Sequence, residues 1–277
     1  MIKLAFHYQV DPLSLLFLRM AFSLPFFLAI LLIRPGAGGG TLKWTDYLKL
    51  TALGVLGYYA SSLLDFLGLQ YVTAGLERLI LFVYPTLVVL LSWLIWRKPI
   101  GKREIGALVL TYAGIAVVFS HDAIRQQPNI LTGALLIFGS AFTYAVYLIG
   151  SGRLIPRFGA ISFTAYAMTV SALSVIVHYM VASPTSVWQF PGEVFGYGLA
   201  LAIISTVIPT FLVSAGIKAI GASRAAIIAS IGPVVTIALG YIFLGEQITV
   251  YDLSGTALVL TGVLMVSARK EKPAVKV

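Results

Sequence analysis

A chain of 277 residues that is 59% hydrophobic and only 10% charged lies far from the roughly 25% charge carried by water-soluble domains, so a soluble fold is excluded. A bilayer core about 30 Å thick takes roughly 20 apolar residues per helix, which leaves room for about nine or ten spans and for little outside the membrane. The formal charge of +9 is then a matter of where the cations sit, and the lack of cysteine excludes disulfides, thiolate metal centres and cysteine nucleophiles.

In chain order, a short apolar piece from Met1 to Tyr8 precedes Asp11-Pro12 and a first span over 13–33. No small-residue cleavage site and polar mature domain follow it, so it reads as a span and not as a signal peptide. Further spans are expected over 47–69, 76–96, 104–120, 130–150, 160–182, 195–215, 224–244 and 250–268. The breaks between them carry turn chemistry: Arg34-Pro35-Gly36 with Gly38-Gly39-Gly40, Lys98-Pro99, Gln127-Pro128-Asn129, Arg153 to Gly159, and Ser183-Pro184 to Pro191-Gly192. Trp44, Trp93, Trp96 and Trp188 fall near span ends, where interfacial aromatics belong.

Lysine and arginine divide unequally between the two sets of connections. One set holds Arg34, Lys43, Lys49, Arg97, Lys98, Lys102, Arg103, Arg153, Arg157, Lys218, Arg224 and a tail with Arg269, Lys270, Lys272 and Lys276; the other has Arg125 as its clear loop cation. The positive-inside rule makes the first set, and the C-terminus, cytoplasmic.

Sliding the chain on itself by 148 residues lays Gly68 on Gly216, Pro85 on Pro233 and Gly114 on Gly262. Residues 1–120 and 130–268 therefore read as two copies of one motif, with 269–277 as a cytoplasmic tail. With about five spans per copy the second runs through the membrane upside down, as in many secondary transporters. The second copy starts near Ile130, so the counterpart of its first helix is expected mostly upstream of Met1. A start codon assigned too far downstream is the favoured account, a shortened copy the alternative.

The chain resembles the EamA-type branch of the drug/metabolite transporter superfamily. The matching stretches are Lys3 ahead of Asp11-Pro12 and Leu18-Arg19-Met20; Ala74-Gly75-Leu76-Glu77 leading to Tyr84-Pro85-Thr86; Ala222-Ser223-Arg224 leading to Gly232-Pro233; and Phe243-Leu244-Gly245-Glu246 before a last helix with Gly255 and Gly262. The resemblance implies an all-α polytopic bundle of two inverted five-helix repeats, here with about nine full spans. It implies export or exchange of small metabolites, amino acids or related polar solutes, across an inner or plasma membrane. Two features depart from the pattern: the Gly-Glu closing the fourth helix of a repeat is Gly245-Glu246 in the second copy but Arg97-Lys98 in the first, and the first helix is mostly missing.

Ionisable groups inside spans are costly and need a partner or an aqueous cavity. Lys3, Arg19, Asp65, Glu77 and Arg78 fall at similar depth in the outer third of the first copy and are candidates for a charge network that closes an outer gate or binds a zwitterion; structural pairing at a helix interface is the slightly favoured reading, and Glu77 and Arg78 lie close enough to the boundary to be solvated. Tyr58, Ser62, Tyr84, Tyr144, Tyr147, Thr206 and Thr210 are candidates to line a cavity, since a phenol or hydroxyl in hydrocarbon seeks a partner; plain helix–helix hydrogen bonding is their other use. Pro85 and Pro233 are candidate hinges. Gly54, Gly57, Gly106, Gly114, Gly255 and Gly262 suit close helix approach.

Catalytic patterns are missing. His7, His121 and His178 are scattered with no zinc-ligand spacing, no phosphate-binding glycine loop is present, and the basic residues form no stripe for nucleic acid. The expected partners are a small-molecule substrate and the lipid bilayer, the expected state a monomer, and no cofactor, metal or enzymatic activity is anticipated; an intramembrane enzyme or a non-transporting membrane component is the alternative.

Overall fold

The computed structural model describes residues 1–33, 43–97, 100–124, 129–182, 185–212, 232–245 and 247–267. Arg34, Lys98, Arg125, Lys218, Arg224, Glu246 and the tail cations lie outside the described residues, as do the side chains of Arg153 and Pro233.

Among the described residues every regular element is helical. Its helices are α1 (Ile2–Phe6), α2 (Pro12–Ile33), α3 (Trp44–Gly54), α4 (Ser61–Gly68), α5 (Ala74–Leu81), α6 (Tyr84–Trp96), α7 (Lys102–Ile124), α8 (Ile130–Phe158), α9 (Ala160–Ala182), α10 (Gly192–Ala202), α11 (Gly232–Leu244) and α12 (Val250–Ser267). Their starts are chemically marked. The Asp11 carboxylate accepts the Ser14 N–H at 2.9 Å with Pro12 in the first helical position. The Thr73 hydroxyl accepts the Leu76 N–H at 3.1 Å. Thr249 and Asp252 satisfy each other's backbone N–H at 3.2 and 2.9 Å, a capping box.

Among the described residues seven helical stretches are long and apolar enough to cross a membrane, 12–33, 44–68, 74–95, 102–121, 130–152, 160–182 and 192–212, and two shorter apolar helices, Val234–Leu244 and Val250–Met265, join them. Large apolar side chains face outward along these helices, among them Leu32, Val181 and Val250, as expected where lipid replaces water as solvent. Trp44, Trp93 and Trp188 are exposed near helix ends.

Two helices change their winding partway. The helix from Trp44 passes into a π-helix over Val55–Ala60 and returns to α at Ser61; the helix from Gly192 does the same over Ile203–Val207 and continues as helix through 208–212. Such turns insert an extra residue into the α-helical path and concentrate at functional sites. Hydropathy carries no trace of them.

Helix bounds recur at the offset read from the sequence. Shifted by 148, α2 falls on 160–181 against Ala160–Ala182, α3 on 192–202 against Gly192–Ala202, the first π-segment on 203–208 against Ile203–Val207, and α6 on 232–244 against Gly232–Leu244. The packing units, however, do not follow the halves 1–120 and 130–268. Residues 1–72 with 128–214 form one compact unit, and 73–127 with 215–277 form another, so each gathers helices from both halves.

In the first unit α2 packs on α9 and α10, α3 on α8 and α9, and α8 on α4 and the first π-segment. Leu15, Leu16, Met20, Phe27, Phe66 and Met168 make one buried core, and Leu50, Tyr147, Phe158 and Phe163 a second. In the second unit α7 runs along α12, and α5 meets α11. A Cβ at Gly114 would stand 2.6 Å from the Gly255 carbonyl oxygen, and one at Gly255 would stand 2.7 Å from that of Gly114, so the two glycines let the backbones touch.

Candidate functional site

The polar interior of the first unit is built around Arg19 on α2. Its side chain is half-buried, its Nε donates to the Thr206 hydroxyl at 2.8 Å, and its guanidinium lies 5.5 Å from the centre of the Phe66 ring. The negative charge of Asp65, next to Phe66 on α4, acts on the same cation. Thr206 is held in turn by the π-helix that carries it: its hydroxyl donates to the Leu201 carbonyl five residues back at 3.0 Å, and the Thr210 hydroxyl donates to the Thr206 carbonyl at 2.6 Å. Residues 187 positions apart thus meet through a hydrogen bond inside predicted spans.

A tyrosine cluster belongs to the first π-segment. The Tyr147 hydroxyl donates to that of Tyr58 at 3.3 Å with ring centres 4.9 Å apart, and Tyr144 stacks on Tyr147 at 5.7 Å. A Cβ at Gly57 would overlap the Tyr147 side chain, so the glycine makes the ring's seat. Tyr147 is buried in the second core, and Tyr58 and Tyr144, half-buried, pack against it. Ser62 is half-buried on α4, one residue after Ser61, whose hydroxyl shares a 2.9 Å hydrogen bond with that of Ser140.

The expected five-member charge network divides between the units. Lys3, half-buried on α1, Arg19 and Asp65 belong to the first; Glu77 and Arg78 belong to the second, where they stand 3.8 Å apart with Glu77 buried. Tyr84 is also in the second unit, half-buried, its ring centre 6.2 Å from that of Phe82. Pro85 does not kink a continuous helix. The span breaks at Phe82 and Val83, and Pro85 stands in the first turn of α6, where its missing N–H costs nothing. Pro233 occupies the same place in α11.

Several polar pairs had no signal in the sequence. Arg157 places Nη1 at 2.9 Å from both carboxylate oxygens of the buried Asp46, joining α8 to α3. The Tyr59 hydroxyl and His178 Nδ1 are 3.0 Å apart, beside an open groove of about 610 Å³ that Thr51, Ser174 and Val170 also line. The partners are 111 and 119 residues apart, which leaves only residue type as a clue. Among the described residues no His, Cys, Asp and Glu gather in threes as a metal site would need.

The model of the EamA-like transporter family matches residues 1–120 and 131–268. The chain is 34% identical over 270 residues to the Bacillus subtilis (strain 168) uncharacterized transporter YcbK, covering 94% of this chain and 86% of that one. It is 24% identical over 265 residues to an uncharacterized transporter of Archaeoglobus fulgidus, with 94% and 90% covered. With the uncharacterized inner membrane transporter YicL of Salmonella typhimurium it shares 25% identity over 224 residues, with 80% and 73% covered. A solved crystal structure superposes with a TM-score of 0.63 at 20% identity over 95% of this chain and 90% of its own, and so shares the fold. The chain is a multi-pass membrane protein and belongs to the EamA-like transporter family.

Proposed function

We propose that this protein is a secondary transporter that exports or exchanges small polar metabolites, amino acids or related solutes, across the cytoplasmic membrane by alternating access. The observation that carries the reading is the bond from Arg19 to Thr206. A cation at bilayer depth is expensive and is retained where it faces a pathway or a ligand, and here it ties a helix of the first sequence half to a π-turn of the second.

Two five-helix copies in inverted orientation, 1–120 and 130–268, fit the recurrence of helix bounds at 148 residues and supply the two halves that such a cycle needs. Pro85 and Pro233, each in the first turn of its helix, serve as the hinges. The bias of lysine and arginine supports a cytoplasmic C-terminus. Tyr58, Tyr144 and Tyr147 form the wall beside the polar site.

The test is uptake by proteoliposomes containing the purified protein, screened with pooled labelled solutes by class under imposed proton and sodium gradients. Accumulation or counterflow of a polar metabolite pool above protein-free vesicles is the expected result. If no pool of any class moves in either direction, the transporter reading fails.

A further inference from the structure

We propose that Arg19 is the oxyanion subsite of this protein, so that the solute it binds carries a carboxylate recognised by the outer edge of the guanidinium; this rests on the transporter reading above. The geometry divides the guanidinium in two. The Nε side is occupied by Thr206 at 2.8 Å, and among the described residues that is the guanidinium's one hydrogen bond. The edge formed by the two Nη nitrogens is left to a planar acceptor, the fork that matches a carboxylate in two parallel hydrogen bonds.

Its direction is fixed. The Phe66 ring lies 5.5 Å from the guanidinium carbon and offers its face to the cation. Thr206 is itself anchored to Leu201 through the π-turn at 3.0 Å, so the acceptor that orients Arg19 moves only with that helix. The half-buried setting holds the cation partly out of water, and an ion pair is worth more there than in bulk water. The charge of Asp65 acts on the same group.

The experiment follows melting of the full chain in a neutral detergent with three probes at matched millimolar concentration: pooled L-amino acids, pooled amides of the same amino acids, and pooled acetate, lactate and succinate. The pools bearing a carboxylate raise the melting temperature and the amides do not. Arg19→Lys, which keeps the charge but loses the fork, weakens the response by about tenfold or more. Equal stabilisation by the amides, no stabilisation by any pool, or an Arg19→Lys protein that responds like the parent overturns the assignment. Should Arg19→Lys not fold, Thr206→Val decides, since it releases the Nε side and leaves the charge; an unaltered response there overturns the assignment too. Stabilisation by phosphatidylglycerol with none by the carboxylate pools would place a lipid headgroup at the site and overturn the solute assignment. In proteoliposomes, transport of sugars, nucleosides or amines that Arg19→Lys leaves unchanged removes the oxyanion subsite while the transporter reading stands.

Discussion

The two π-segments have the same backbone form and opposite uses of it. Over Val55–Ala60 the chain turns Tyr58 onto Tyr147 and buries Gly57 under that tyrosine, whereas over Ile203–Val207 it turns Thr206 onto Arg19 and leaves Ser205, the residue 148 positions after Gly57, exposed. The first is closed by rings packed against α8. The second holds a single hydroxyl against a cation. A widened turn therefore fixes where side chains are delivered, and the residue types decide whether the delivery makes a core or a polar site.

Four substitutions sharpen or break that contrast when the purified protein is unfolded by heat or denaturant in detergent. Gly57→Leu has the largest expected effect: the new side chain competes with Tyr147 for one volume, and overpacking of this kind costs about 3 kcal/mol or more. If stability is unchanged, the first turn is not closed by packing. Thr206→Val comes next, removing a buried acceptor from a charged donor, a loss of about 2 kcal/mol. Wild-type stability in that variant would mean that Arg19 finds another acceptor at no cost.

Tyr147→Phe keeps the ring and removes a hydroxyl bonded at the long distance of 3.3 Å, so a loss of about 0.5 kcal/mol is expected. A much larger loss would show that the hydroxyl, and not the ring, holds the cluster. Ser205→Ala, at an exposed position, should stay within about 0.5 kcal/mol of the parent. A large shift there would mean that the two turns are both packed sites, and the contrast would dissolve.

Much of the architecture was legible because lipid imposes a length and a composition on every span: the spans read at 13–33 and 160–182 match α2 and α9 within a residue. Asp11-Pro12 announced its helix start through cap chemistry that acts over three residues. The candidate site was legible in part. Arg19, Asp65 and Thr206 stood out because charge and hydroxyl are rare in apolar runs, yet nothing local joins positions 19 and 206. Phe66 looked like one more apolar residue until the fold set it under a guanidinium. Glu77 and Tyr84 fall in the second packing unit, and depth along a helix does not say in which unit a residue packs. The π-turns were invisible because their winding is decided by what each helix packs against, as Gly57 beneath Tyr147 illustrates.

Each π-turn also bears on where a span can tolerate the loss of a residue. A residue removed from the middle of an α-helix rotates everything beyond it by about 100° and turns buried faces toward lipid. A residue removed within Val55–Ala60 or Ile203–Val207 instead returns the helix to ordinary winding and leaves the far half in register. These two short stretches are thus where a membrane span can gain or lose a single residue across a lineage, and a one-residue gap in either, in a comparison of distant relatives, records a change of winding and not an error of alignment.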